Sequence, residues 1–191
     1  DKRKLDELSN FGVHQGIIAV CKMAKAKSLK EIKETCKFIV AVDGVTDPHN
    51  LGAIFRAAEC VGVDAIITTT RRCAPITAIV AKASAGAVLV VDRVEVVNLN
   101  RTLDELRDEG FWVMGTSLSE GAVPLRKAKM HDRVVVVLGS EGKGMRRLVS
   151  EKCDELVYIP MKGKIGSMNV SQAAAIVLEH VSNYFEEKQN G

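Results

Sequence analysis

Between Leu138 and Leu178 the chain reads LGSEGKGMRRLVSEKCDELVYIPMKGKIGSMNVSQAAAIVL, two glycine-rich turns around one strand and then Ser167, Met168 and Asn169 at the mouth of an apolar helix. Glycines let backbone amides approach a ligand closely, and the Ser and Asn side chains add hydrogen bonds without net charge. Such a set suits a neutral or zwitterionic ligand better than a bare phosphate. A second polar set lies upstream in VDGVTDPHNLGAIFRAAECVG, which carries Asn50 and Arg56.

Each of these residues also has a plain structural role open to it. Glu141 follows an apolar strand at a tight turn, where a carboxylate complements the dipole of the next helix. Asn50 stands where a helix begins and is a good N-cap by type, as are Ser167 and Asn169 before the last helix. Arg56 lies opposite the apolar stripe of its helix and is expected to be exposed. The GSEGKG turn is not a P-loop, which needs a longer gap between its glycines and a Ser or Thr directly after the Lys. No GxGxxG follows a strand either, so a nucleotide-dependent enzyme has no supporting motif.

The elements that must position these residues alternate along the chain. Apolar runs predict strands over residues 38–42, 64–68, 88–91, 111–115, 134–138 and 156–159. Helical spacing predicts helices over 51–62, 75–83, 99–109, 144–151 and 170–186, the first with apolar residues at 51, 54, 55, 58 and 61. Residues 134–138, VVVVL, are almost purely β-branched, as expected of a central strand buried on both faces. The alternation predicts an α/β fold, a mostly parallel sheet with helices on both faces, and three candidate site loops (43–50, 139–144 and 160–169) after strands. The reading is one domain over 36–191, preceded by a basic linker or arm over 1–35 with a short helix near 28–34.

Composition narrows the classes. Hydrophobic residues make up 47% of 191 positions, and no apolar run approaches the roughly 20 residues that cross a bilayer. Five cysteines, an odd number with no CxxC, argue against a zinc site or a disulfide framework and for a reduced, cytoplasmic protein; Cys60 and Cys153 read as small core residues. The net charge is only +3, yet the basic residues cluster: Lys2-Arg3-Lys4, Lys22 to Lys30, Arg71-Arg72, Arg126 to Lys129, Arg146-Arg147 and Lys162 with Lys164. Such clusters can meet an anionic partner, or remain solvated. An aromatic content of 4% disfavours a base-stacking single-strand platform. The first residues, DKRKLDELSN, lack both an initiator Met and an apolar signal core, so a fragment or processed form of a longer chain is expected.

In order and spacing, VDGVTDPHNLGAIFRAAECVG, VVLGSEGKGM and YIPMKGKIGSMNVSQAAAI resemble the three signature motifs of the SpoU/TrmH-type RNA 2′-O-ribose methyltransferases of the SPOUT class. FGVHQGIIA looks like the linker of the subgroup that methylates a guanosine ribose in large-subunit ribosomal RNA. That subgroup carries an upstream RNA-binding domain resembling ribosomal protein L30e. Met168 departs from the more usual leucine, a swap that conserves volume.

The resemblance implies a deep C-terminal trefoil knot, one of the exceptions to unknotted topology. It implies S-adenosylmethionine as cofactor, RNA as partner, no metal, and a homodimer through the closing helix and the first-motif helix. Matched to the family's catalytic set are Asn50, Arg56, Glu141, Ser167 and Asn169. Matched to its cofactor positions are Gly139, Ile159 and Met168, with Thr116, Leu138, Pro160 and Met161 as neighbours. A guanidinium resists deprotonation, so Arg56 is expected to clamp a phosphate rather than act as base, with Glu141 holding it or another basic group. Arg71, Arg72, Lys162 and Lys164 are the expected phosphate contacts. Two alternatives stand beside this reading: a transfer-RNA 2′-O-methyltransferase, and a non-catalytic RNA-binding ribosome-assembly factor.

Overall fold

A computed structural model describes residues 2–9, 14–20, 23, 25–142 and 144–190. In chain order the elements are α1 (Lys2–Leu8), α2 (Leu29–Thr35), β1 (Phe38–Val42), α3 (Pro48–Cys60), β2 (Ala65–Thr69), α4 (Ala78–Ala83), β3 (Asp92–Val96), α5 (Leu99–Asp108), β4 (Trp112–Thr116), β5 (Val123–Pro124), β6 (Val134–Leu138), α6 (Arg147–Ser150), β7 (Glu155–Tyr158) and α7 (Val170–Asn190). Cys21, Lys22, Lys143 and the first three residues of FGVHQGIIA lie outside the described residues.

All seven strands join one sheet in the order β3-β2-β1-β6-β4-β7-β5, and every pairing is parallel. β6 lies at the centre, between β1 and β4, with all five side chains buried. Its β-branched run fits a strand covered on both faces. Side chains alternate between two layers, as the two-residue strand period requires. Phe38, Val40, Val42, Val134, Val136 and Leu138 meet Leu51, Ile54 and Phe55 of α3 and Val177, Leu178 and Val181 of α7. Ile39, Ala41, Val135 and Val137 meet Ile32 of α2, Leu99, Leu103 and Leu106 of α5 and Val149 of α6. Helices thus cover both faces.

Local sequence sets the helix starts. Ser28 and Glu31 form a reciprocal capping box on α2, and the Asn98 side chain accepts the Arg101 amide at the start of α5. Asp47 caps α3 by accepting the His49 amide, with Pro48 in the first turn. Asn50 is therefore not the N-cap but lies one turn inside, its side chain turned away from that role.

Other expectations also need correction. Residues 87–89 form a 3₁₀ turn rather than a strand, and the third strand runs over Asp92–Val96. Gly86, at φ +90°, breaks the chain ahead of that apolar run, and β3 is an edge strand with only Val94 fully buried. Residues 2–8 of the expected arm are helical, and α6 is a single turn. Cys60 is exposed at the end of α3. Cys153 does sit among core residues, and burial pushes its thiol up to about 12.

Gly52 marks where α3 touches α4. A Cβ there would stand 2.5 Å from the Ala83 Cβ and 2.9 Å from the Val80 carbonyl oxygen. The helices pack through that gap, so Gly52→Ala is expected to cost about 1–3 kcal/mol by overpacking. Urea denaturation checks this, with an unchanged midpoint as the contrary result.

Candidate functional site

Residues following the strands gather at one edge of a parallel sheet, where ligands collect. Because β6 is flanked by β1 and β4, the 139–146 turn that follows it lies between the segment after β1 and the segments after β4 and β7. The turn is closed by a reciprocal backbone pair, Ser140 N–H to Gly144 O at 3.0 Å and Gly144 N–H to Ser140 O at 2.9 Å. Gly139 is required here: a Cβ would stand 2.3 Å from both Gly144 C and Met145 N. Gly142 and Gly144 take φ of +77° and +65°, which glycine adopts without strain.

Three polar side chains from three distant segments converge on this turn. The Asn169 amide donates to Asn50 Oδ1 at 2.9 Å and reaches Glu141 Oε2 at 3.4 Å. Asn50 Nδ2 donates to the same Glu141 oxygen at 3.2 Å. Asn169 Oδ1 meanwhile accepts the Ser171 amide at 2.9 Å and the Ser171 hydroxyl at 2.6 Å. Asn169 therefore both caps α7 and joins the network. Both amides hold Oε2 of Glu141, and Oε1 has no partner among the described residues.

Beside this network lies a cavity of about 400 Å³. The segment after β4 supplies Thr116, Ser117, Leu118 and Ser119, and the turn supplies Gly139, Ser140, Glu141, Gly142, Gly144 and Met145. The segment from β7 into α7 supplies Tyr158, Ile159, Met161, Ser167, Met168, Val170 and Ala173. Of the expected cofactor residues, Thr116, Gly139, Ile159, Met161 and Met168 line the cavity, while Leu138 and Pro160 adjoin it in sequence without lining it. Its described lining holds one carboxylate and no Lys, Arg or His. A second depression, lined by Asp104, Arg107, Trp112, His131 and Asp154, opens at the starts of β4, β6 and β7, away from these turns.

Not every expected site residue joins the network. Arg56 is exposed on α3, six residues beyond Asn50, and its guanidinium has no partner among the described residues. Ser167 lines the cavity but makes no side-chain hydrogen bond there among the described residues. Glu141 meets the two amides rather than Arg56. Arg71 and Arg72 are exposed after β2, with Arg72 at φ +65°, and Lys162 and Lys164 are exposed after β7. All four lie at the same edge of the sheet as the cavity. The run Ser117–Ser119 carries no motif that would mark it, whereas the lining residues Met145 and Tyr158 stand at the ends of the second and third motifs without having been singled out. Among the described residues there is no cluster of three metal-ligating side chains, and no helix is long and apolar enough to cross a membrane.

The glycine turns and the carboxylate held by two amides border a cleft of a size that takes a small molecule. Residues 37–179 match the SpoU rRNA methylase family, and the chain belongs to it. It is 42% identical over 182 residues to the 23S rRNA (guanosine-2′-O-)-methyltransferase RlmB of Vibrio vulnificus, spanning 93% of this chain and 73% of that protein. Among solved structures it resembles a TrmH/SpoU tRNA modifying enzyme of A. aeolicus, with 30% identity, TM-score 0.74 and 84% of each chain covered. It also resembles an AdoMet-bound rRNA methyltransferase of Sinorhizobium meliloti, with 26% identity and TM-score 0.77, covering 84% of this chain but only 61% of that one.

The double duty of Asn169 can be separated by substitution. Asn169→Ala removes the cap and is expected to cost about 1 kcal/mol, whereas Asn169→Ser retains a capping oxygen and loses less than half of that. Urea titration of both variants checks the order, and equal losses would deny the capping role.

Proposed function

We propose that this chain transfers the methyl group of S-adenosylmethionine to the ribose 2′-oxygen of a guanosine in large-subunit ribosomal RNA. The observation that carries the reading is the convergence of Asn50, Glu141 and Asn169 at the lip of a cavity whose described lining holds no basic residue. A cavity of this size is ordinary for a small-molecule ligand. Its single carboxylate and many backbone amides fit a zwitterion that also bears a positive sulfur. Bound there, S-adenosylmethionine supplies an electrophilic methyl group on a sulfonium that becomes a neutral thioether on transfer.

The chain's own residues then have distinct tasks. Thr116, Gly139, Ile159, Met161 and Met168 enclose the cofactor, with Leu138 and Pro160 setting the backbone on which two of them stand. Asn50 and Asn169 fix Glu141 through Oε2, which leaves Oε1 to accept a hydrogen bond from the ribose 2′-hydroxyl and draw its proton as the methyl arrives. Ser167 offers a hydroxyl on the same lip. Arg56 grips the phosphate next to the target ribose, and its fixed fork of donors suits that better than proton abstraction. Arg71, Arg72, Lys162 and Lys164 hold RNA phosphates further out.

Architecture fits the same reading. β7 lies between β4 and β5, the two strands that residues 117–122 join directly. This placement supports the threading of a trefoil knot with the cavity at its crossing. Ile176 is 40% exposed on α7, and Ala175 beside it is also exposed. With the outer face of α3 they offer a surface for a second copy, and the proposed unit is a homodimer. Residues 36–191 are the catalytic domain, 1–35 the arm leading into it, and the cytoplasm the compartment where such a substrate is made. The 42% identity to a ribosomal-RNA enzyme favours that substrate over transfer RNA.

Calorimetry with S-adenosylmethionine separates this function from a non-catalytic assembly factor, which would show no binding. Mass mapping of ribosomal RNA from cells with and without the protein then identifies the nucleotide, and a map with no missing methyl group would reject the substrate. Glu141→Gln is expected to lower single-turnover methyl transfer by about 10²–10⁴-fold while leaving cofactor affinity within a few-fold. Loss of affinity with normal turnover would reject its role at the ribose. Replacing Lys162 and Lys164 by Ala should reduce the dependence of log RNA affinity on log salt by about one unit for each phosphate contact removed. An unchanged slope returns them to the solvated surface.

A further inference from the structure

Asp43, at the end of β1, is a buried carboxylate that lines neither cavity described above and belongs to none of the groups above. Its side chain is 1% exposed, against 44% for its partner Arg146. Oδ1 accepts from Arg146 Nε at 2.7 Å and from the terminal guanidinium nitrogen NH2 at 2.6 Å. Oδ2 accepts the Arg146 backbone amide at 2.8 Å. Both carboxylate oxygens are thus spent on one residue, by three charge-assisted bonds of the strong kind. The Asp43 amide in turn donates to Leu138 O at 2.8 Å, which ties the end of β1 to the end of β6.

The consequence is a clamp across both ends of the 139–146 turn. Leu138 enters the turn held by the Asp43 backbone, and Arg146 leaves it held by the Asp43 side chain. Gly44, at φ +81°, presses the same corner onto the turn: a Cβ there would stand 3.4 Å from the Ser140 Cβ. Between the two anchors lie Gly139, Gly144 and Met145 of the cavity wall and Glu141 of the polar network. A displacement of about 1 Å in such a segment is enough to cost a large factor in an oriented reaction.

We propose that Asp43 is a positioning residue for methyl transfer, which by gripping Arg146 fixes the 139–146 turn and so sets both the cofactor wall and the place of Glu141. The inference rests on the reading of the cavity as the S-adenosylmethionine site. Its structural content, the clamp on the turn, is measurable without cofactor. A carboxylate serving stability alone would loosen the whole sheet when removed, whereas a clamp on the turn loosens the turn first.

The experiment compares Asp43→Asn, Arg146→Gln and the double variant with the parent chain by amide hydrogen exchange without ligand and by calorimetry with S-adenosylmethionine. Asp43→Asn keeps an oxygen for the Arg146 amide but presents no charge to the guanidinium. Each single variant is expected to lose about tenfold or more of the protection at Ser140 and Gly144, and about tenfold in affinity, while Val135 to Val137 of β6 stay protected. The double variant should lose no more than Asp43→Asn, because the two residues act as one unit. Unchanged affinity in a variant with a loosened turn, or weakened affinity with the turn still protected, overturns the proposal, as does loss of protection throughout β6. If Asp43→Asn does not fold, Arg146→Gln carries the same comparison. Absence of affinity in the parent chain rejects the cofactor reading instead, and protection of the turn then judges the clamp alone.

Discussion

Everything at this edge of the molecule depends on one close backbone approach. Gly139 leaves the central strand and immediately lies against Gly144 and Met145, at a distance no side chain would permit. That contact folds six residues into a turn short enough to be gripped at both ends by Asp43. It also points Glu141 across the end of β1 toward Asn50 rather than out along the axis of β6. If the approach were opened, the cavity would lose its wall and the carboxylate its two amide partners together.

The order of the strands explains why the polar network can exist at all. Asn50 and Asn169 are 119 residues apart, yet their amides meet at 2.9 Å. The meeting requires β6 to enter between β1 and β4, both laid down earlier, and β7 to enter between β4 and β5. Each insertion places a later segment beside an older one at the same edge. Long-range pairing of this kind carries a heavy loop-closure cost and makes folding slow. In return the three segments are held by central strands rather than by a flexible loop, which gives oriented groups the rigidity that proximity effects need.

Much of this was legible in the chain, for identifiable reasons. Five consecutive buried positions in VVVVL leave no alternative to a central strand, and the alternation of strands and helices fixes a parallel sheet with two helical layers. Glu141, Asn50 and Asn169 are marked only by the order and spacing of the three motifs that resemble the family's, since each taken alone reads equally well as a cap or a helix-dipole carboxylate. The failures are equally physical. An edge strand has one buried face at most, so Asp92–Val96 shows a single core valine while the more apolar residues before it form a 3₁₀ turn. β5 is two residues long and contains Pro124, below what any periodicity can register. Asn50 looks like a cap only if the Asp47-Pro48 pair, a stronger start signal three residues earlier, is overlooked. Asp43 was passed over because a lone acid at a strand end says nothing of an arginine 103 residues away.

Charge is divided at this edge in a way that the proposed chemistry requires. Among the described residues the cavity is lined by neutral groups and one carboxylate, while Arg56, Arg71, Arg72, Lys162 and Lys164 stay exposed outside it. A cation placed inside would lose its hydration and would also repel a sulfonium, so it would weaken the ligand the cavity is proposed to take. A phosphate, by contrast, is best met at a surface, where a basic side chain keeps most of its water and still releases counterions from a nucleic acid. The same division accounts for the network's reliance on asparagine. Two amides can orient a carboxylate without neutralising it, as a paired arginine would, and so preserve the negative charge that the proposed reaction sets against the ribose hydroxyl and the methyl donor. In the proposed reaction Glu141 is therefore better served by Asn50 and Asn169 than by Arg56, which leaves that guanidinium to the proposed phosphate contact.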